Sequence, residues 1–565
     1  MRKALKIAVQ ILAGIALVAI FSAFSGKSHS SVSPLDTVIF PHDKVIEVYI
    51  QIDEAELQKM FDQARQEQYV MCNVVYNGYM IKNVGIRPKG NSSLMHVASS
   101  SSNRYSFKLD FNEFVKGQSL FGITKINLNN GFSDPSFMRE YLTYEISQEL
   151  GLQTPKTTYV ALYINDSYFG LYLGVENVDV NFVRDRFTDG LGDLYKPEGK
   201  GANLVYIDDN PQSYSGLALQ TNKETSDKSS AVEMLRILSE GSYEELEEIL
   251  DTDSFLKYYA LCVATGNMDS ILGGMYHNYY LYEDGGKFVI IPWDFNMAFG
   301  GFPGFGGNSA GSLYIDYPAL NMDSLPIVNR LLTNEEYLEK YRLYLGVIVN
   351  GYLSDELFGK RIREIASMID SYVRDDPNSF YSYAQYLASL NTYEGASSLY
   401  AYNSIRVQTI TKQLSGELPS RSDGSEGTDA AFGRVMPVAG NLPRNVQGVP
   451  QFPGERNPVN FDSPEREALA SPQIQDRSQG QAQQERPFQD FGAMDFAADR
   501  EERMRNLLPQ ENLTGLEPGG RVRNDIRPED GPESKELSQG DIVTILASMI
   551  SLGLSIALLN LKRRI

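Results

Sequence analysis

Apolar and polar residues alternate along the first third of the chain, and further on apolar residues recur at helical spacing. Val45 to Ile52 (VIEVYIQI) alternates as a half-buried strand does, and Asp53 to Arg65 (DEAELQKMFDQAR) opens on a capping acid and continues at helical period. Short β runs are predicted at Val70 to Val75, Met80 to Arg87, Tyr105 to Phe111 and Lys125 to Leu128, with turns at Asn77-Gly78 and near Gly117. Phe137 to Leu150 reads as a helix ended by Gly151, and Thr158 to Ile164 and Tyr168 to Val175 as two strands across Asn165-Asp166. From Ala231 the pattern is chiefly helical, broken by a hairpin from Tyr279 to Pro292 and resumed over Pro326 to Arg374. The prediction is an α+β unit over about residues 37–415. It has a mostly antiparallel, β-rich first lobe (about 45–180) and a helical second lobe (about 181–415).

The pattern changes at both ends. Arg2, Lys3 and Lys6 precede an apolar run from Ile7 to Phe24, long enough to cross a bilayer, so residues 1–26 read as a membrane anchor or a signal peptide. Ile542 to Asn560 is uncharged and is followed by Lys562, Arg563 and Arg564, the pattern of a transmembrane helix. With basic clusters outside both runs, the positive-inside rule puts the termini in the cytoplasm and the main domain on the extracytoplasmic side. Between about 416 and 540 the chain is rich in Pro, Gln, Arg, Ser and Gly, and reads as a disordered tether.

Composition narrows the function. The 565 residues are 42% apolar and 22% charged, the balance of a folded protein, and their length suggests several units. A formal net charge of −21 has the wrong sign for gripping a phosphate backbone, so no nucleic-acid partner is expected. Cys72 and Cys262 cannot build a thiolate metal site, and the four histidines contain no HExxH spacing.

A β-rich lobe, one inserted helix and a helical lobe are the layout of a protein kinase, although layout alone proves little. Arg87-Pro-Lys-Gly-Asn-Ser-Ser93 places Lys89, Gly90, Ser92 and Ser93 in a loop between strands, where N–H groups, hydroxyls and an ammonium can meet phosphates; the plain alternative is a polar turn. Alternation puts Lys108 on one face with Ser106 and Asp110, free to reach phosphates and to pair with a helix carboxylate such as Glu140 or Glu145, or simply to solvate an exposed face. The most specific stretch is Asn267 to Gly300, NMDSILGGMYHNYYLYEDGGKFVIIPWDFNMAFG. Asp269 leads a loop, Asn278 starts a strand, and the hairpin returns to Asp294. Phosphoryl transfer needs oxygen ligands for a divalent cation and a carboxylate on the accepting hydroxyl, which suggests Asn278 and Asp294 for the metal and Asp269 for the hydroxyl. His277 and Trp293 read more simply as structural, and Gly300 to Ser312 as a mobile loop.

These segments together resemble the CotH family of spore-coat-type atypical protein kinases. IRPKGNSS, FKLDFNEF with QSLFGITKINLNN, SDPSFMREYLTYEISQELGL, YINDSYFGLYLGVENVD, GDLYKPEG, the Asn267 to Gly300 stretch and LPIVNRLL carry the resemblance over about residues 45–375. It implies a kinase-like two-lobed fold, binding of ATP with Mg²⁺ or Mn²⁺, and phosphorylation of Ser or Thr on protein substrates. Asp269 falls at the family's catalytic aspartate and Asp294 at its metal-binding aspartate, with Asn278 matching the asparagine between them. By kinase topology Glu176 of LGVEN should sit in the hinge facing adenine. Lys108 is the expected phosphate lysine and Lys196 its rival. Asn296 departs from the pattern, where a second acid is expected.

Three functions remain: a membrane-tethered kinase acting on coat or surface proteins, a catalytically weak surface scaffold or adhesin, and a polysaccharide hydrolase using Asp294 and Asp269.

Overall fold

A computed structural model describes residues 33–421, apart from 189, 200, 303–309, 317–324 and 391–397. The expected N-terminal anchor (1–26), the C-terminal helix (542–560) and nearly all of the 416–540 tether lie outside the described residues. Among the described residues no helix is long and apolar enough to cross a membrane.

Seven strands form a closed barrel: β1 (Ile46–Gln51), β2 (Val70–Tyr76), β3 (Tyr79–Lys89), β4 (Ser106–Asp110), β5 (Lys125–Asn129), β6 (Thr157–Ile164) and β7 (Ser167–Glu176). They pair in the order β1-β2-β3-β4-β5-β7-β6. The predicted antiparallel sheet is present, but β1 closes it by pairing in parallel with β6, Val48 opposite Leu162. Alternation on β1 explains why: Ile46, Val48 and Ile50 point inward while Glu47 and Gln51 face out. Phe107, Leu109, Leu128 and Leu162 join them in the barrel core.

Helix α1 (Glu54–Asp62) starts where the Asp53 carboxylate accepts from the N–H groups of Ala55 and Glu56. The Lys89 to Ser93 segment is not an open loop between strands, because its second half enters a short helix, α2 (Ser92–Val97). Helix α3 (Arg139–Glu149) is buried on nearly every side, holding Tyr141, Leu142 and Tyr144 inside the second apolar core.

That core is mainly helical, with a short α4 (Val180–Arg186), then α5 (Ser229–Glu240), α6 (Tyr243–Ile249), α7 (Thr252–Thr265), α8 (Pro326–Thr333), α9 (Glu335–Asn350), α10 (Asp355–Arg374), α11 (Tyr383–Leu390) and α12 (Leu399–Ser415). A second sheet lies among them, β11-β10-β8-β9, built from β8 (Leu194–Pro197), β9 (Leu217–Leu219), β10 (Tyr279–Asp284) and β11 (Lys287–Pro292). The hairpin β10–β11 was foreseeable; β8 and β9, of four and three residues, are too short for a periodic signal.

The two regions are tied by buried polar contacts. Arg104, before β4, donates to both oxygens of Asp376 after α10, at 3.0 and 2.8 Å, and to Leu171 O on β7 at 2.6 Å; both charged side chains are fully buried. Asp376 in turn accepts the Leu171 N–H, 2.9 Å away.

Candidate active site

Helix α7 ends at Gly266, whose φ of +60° and contact with Tyr402 leave no room for a Cβ, which would lie 1.9 Å from the Tyr402 hydroxyl. The loop beyond it delivers Asp269, nearly buried. Asn278 Nδ2 donates to Asp269 Oδ2 at 3.0 Å and to its carbonyl at 2.9 Å, and His277 Nε2 lies 2.7 Å from Oδ1. Both carboxylate oxygens are therefore oriented. Burial would push the His277 pKa down, but the Asp269 hydrogen bond and charge outweigh it and hold the imidazole above its ordinary value.

Asp294 follows β11 and Trp293. Its N–H donates to the Tyr144 hydroxyl of α3 at 3.1 Å, which sets the turn against that helix. Asp294 and Asn278 both have positive φ, +57° and +62°, a strained backbone of the kind that gathers at functional sites. Burial raises the Asp294 pKa; Lys89 opposes that rise and Asp269 adds to it, so the two aspartates lie within electrostatic reach of each other. Of the three residues expected together from the sequence, Asn278 and Asp269 are hydrogen-bonded, and Asp294 is near enough to Asp269 for their charges to interact.

Facing them, Lys89 at the end of β3 donates from Nζ to Asn129 Oδ1 at 2.7 Å, and Asn129 Nδ2 donates to both oxygens of Glu140 at 3.0 and 2.9 Å. Strand β5 thus supplies an amide that relays the ammonium to the helix carboxylate. Burial lowers the Lys89 pKa against the attraction of Asp294 and Glu140. Burial and the Asp294 charge push the Glu140 carboxyl up to about 8, against the Asn129 hydrogen bond and Lys89. Trp293 packs edge-on against Tyr280, with Lys89 Nζ 5.8 Å from its ring centre, so the expected packing anchor also borders the ammonium.

The tie to the helix carboxylate expected for Lys108 runs instead from Lys89 through Asn129. Lys108 makes no ion pair or hydrogen bond among the described residues; burial, with Lys89, Arg87, Lys125 and Lys196 around it, pushes its pKa down to about 7. Lys196 on β8 pairs with Glu198 and contributes positive charge at Asp294, Lys89 and Lys108. Glu145, one turn beyond Glu140, turns the other way and is gripped by Arg361 at 2.5 Å and by the Tyr352 hydroxyl.

Gly90 has a φ of +123°, and a Cβ there would lie 2.7 Å from Ser93 Oγ; with Ser92 it leads into α2. Glu176 ends β7, where the chain leaves the barrel, but its side chain is committed to Arg186 at 2.5 Å and to the Lys156 N–H at 3.0 Å. Asn296 donates to Phe132 O at 3.2 Å, tying the turn after Asp294 to the segment before α3. Of the expected mobile loop, 303–309 lie outside the described residues. Sequence reasoning missed Asn129 altogether, because a lone strand asparagine carries no signal of its own. It assigned His277 a structural place.

The family model described as CotH kinase protein matches residues 86–406, more than half of the chain and every residue of the cluster above. The chain belongs to the CotH family. Inner spore coat protein H of Bacillus subtilis is 26% identical over 275 residues, covering 47% of this chain and 73% of that protein. Invasin CotH3 of Rhizopus delemar is 22% identical over 373 residues, 59% of this chain and 61% of the invasin. Invasin CotH2 of the same fungus is 23% identical over 288 residues, 47% and 48%. The chain thus spans only part of either CotH invasin.

Proposed function

We propose that this CotH-family chain is a membrane-tethered kinase that moves the γ-phosphoryl group of ATP to Ser or Thr hydroxyls of coat or surface proteins. The observation that carries the reading is the meeting of two carboxylates and a carboxamide with the Lys89–Asn129–Glu140 relay. On this reading the strand order β3-β4-β5-β7-β6, with α3 between β5 and β6, would correspond to a kinase first lobe. Asn129 then occupies the strand whose lysine ordinarily pairs with the helix glutamate. Lys89 would supply that charge from the neighbouring position.

The residues fit a hard divalent cation. The Asp294 carboxylate is partly buried, accepts no hydrogen bond from a described residue, and interacts electrostatically with Asp269. Among the described residues no three His, Cys, Asp or Glu side chains form a metal cage by themselves. Asp294 and Asn278 would therefore hold Mg²⁺ or Mn²⁺ together with phosphate oxygens, and the ion would supply neutralisation of phosphate charge.

The chain's own groups account for the rest. Lys89, Lys108 and Lys196 attract the phosphates, and the Glu140–Asn129 pair holds the Lys89 ammonium in place. Asp269, oriented by His277 and Asn278, accepts the hydroxyl proton as the hydroxyl oxygen bonds to phosphorus and the bond to the ADP oxygen breaks. Glu176 would offer adenine only its backbone. On this reading Ile7 to Phe24 and Ile542 to Asn560 enter a bilayer and the domain faces away from the cytoplasm.

The test is transfer of labelled phosphate from ATP by the full chain, to itself and to a generic protein, with and without Mg²⁺ or Mn²⁺. Metal-dependent labelling lost in Asp269→Asn and Asp294→Ala supports the reading. Folded protein with no labelling and no ATP-induced rise in melting temperature overturns it. That result would favour a surface scaffold or adhesin, the reading to which the two invasin relatives lend support.

A further inference from the structure

The outer wall of the barrel carries an apolar row that nothing in the proposed chemistry uses. Tyr163 of β6 lies opposite Tyr49 of β1, Tyr49 opposite Val75 of β2, and Val75 opposite Met80 of β3. Residues directly opposite share a face, so the four line up across adjacent strands. The rings of Tyr49 and Tyr163 stack with centroids 4.5 Å apart. Met80 is 59% exposed. A solvated wall of a barrel ordinarily presents polar residues at such positions.

The incoming chain is fastened at the end of β2, next to this row. Asn77 Nδ2 donates to Val38 O at 2.7 Å and the Tyr76 hydroxyl to Ile39 O at 3.1 Å, and Lys44 lines a shallow cavity of about 320 Å³ with Tyr49, Val75 and Asn77. The described residues begin at Ser33, and eight residues separate it from Phe24, the last of the apolar run. Eight extended residues reach at most about 30 Å. A bilayer holding Ile7 to Phe24 therefore keeps the row on a short leash, at high effective concentration relative to the lipid surface.

We propose that this face docks on the bilayer interface, with Tyr49, Tyr163 and Met80 at headgroup depth. The inference rests on the membrane reading of Ile7 to Phe24 given above. Tyrosines with an apolar body and a polar tip suit that depth, and the stems of Lys44 and Lys82 can snorkel at its edge. Asp43 and Glu47 offset those two lysines, so the attraction is apolar and needs no anionic lipid. The barrel then lies with its β6-β1-β2-β3 wall on the membrane.

The test uses the full chain in phosphatidylcholine vesicles that contain doxyl-labelled lipid as quencher. A fluorophore is placed at Met80→Cys, at Ser22→Cys within the apolar run, and at Glu244→Cys on exposed α6; native Cys72 and Cys262 are buried and stay unlabelled. We expect about twofold quenching at positions 22 and 80 and none at 244, with the signal at 80 unchanged at raised salt. Quenching at 22 without quenching at 80 overturns the docking and leaves the anchor standing. No quenching at either position overturns both. A signal at 80 that responds to protein concentration and not to quencher lipid assigns the face to a second copy of the chain, and also overturns the proposal. As a second variant, Met80→Glu with the reporter moved to Asn77→Cys should relieve the quenching; undiminished quenching counts against the row.

Discussion

Glu140→Gln should make the protein more stable at neutral pH while removing activity. The folded Glu140 carboxyl titrates at about 8, against an ordinary 4.5, chiefly because it is buried and close to Asp294. Between those values the folded state holds a proton that the unfolded chain has released, so stability falls as pH rises, by up to about 1.4 kcal/mol per pH unit. Across the whole interval the ceiling is about 5 kcal/mol. Glutamine has no proton to lose and, like the protonated carboxyl, offers Asn129 one carbonyl oxygen, so the two side chains differ little at low pH. The variant should therefore match wild type to within about 1 kcal/mol near pH 4.5 and be about 2–4 kcal/mol more stable near pH 8. Urea unfolding in chelator, followed by the fluorescence of Trp293, the single tryptophan and a neighbour of Lys89, reads the difference. A stability difference that stays constant from pH 5 to 8 would refute the buried, proton-holding carboxyl and with it the relay to Lys89.

Lys89→Met should lower kcat/KM for ATP by about 100-fold or more, whereas Lys108→Met should chiefly raise KM, because no described residue pairs with the Lys108 ammonium; equal effects in steady-state kinetics would contradict the relay. Asp376→Ala leaves the Arg104 guanidinium buried without its counter-charge and should cost about 3–5 kcal/mol in urea unfolding, while a loss below about 1 kcal/mol would show that the pair is not buried. Cys72 and Cys262, whose thiols burial pushes up to about 12, should not react with a thiol reagent in the native protein and should both react in denaturant. Arg361→Ala should free Glu145 and loosen α3, lowering kcat with little change in KM for ATP; an unchanged kcat would remove that helix contact from the machinery.

Much of the fold was legible because its elements carry strong periodic signals. β1 alternates, α1 opens on Asp53, and the hairpin β10–β11 turns on Gly285-Gly286, all visible as local patterns. Closure of the barrel was not legible, since the parallel β1–β6 pairing joins residues more than 110 positions apart and leaves no local trace. At the site, Asp269, Asn278 and Asp294 sit within one stretch of chain, so their meeting could be inferred. Lys89 and Lys108 lie opposite adjacent positions on paired strands, Arg87 against Lys108 and Lys89 against Ser106. Which of the two turns toward Glu140 depends on Asn129, a residue of a third strand.

The site is held from both sides by contacts that leave little freedom for the barrel to swing against the helices. Tyr144 on α3 accepts the Asp294 N–H, and Asn296 reaches Phe132 ahead of the same helix. One turn beyond Glu140, Glu145 is fixed to Arg361 and Tyr352 of the helical region, and the Arg104–Asp376 pair joins the two regions a third time. Breaking one buried pair costs about 3–5 kcal/mol, which keeps the broken state below about 1% of the population. Opening by separation of the two regions would have to break such contacts together. On the kinase reading proposed above, a nucleotide would reach Lys89 and Asp294 through loop motion, with Glu140 already tied to Asn129. Such a site is preorganised, and its rate would be limited by loop rearrangement or product release sooner than by assembly of the catalytic groups.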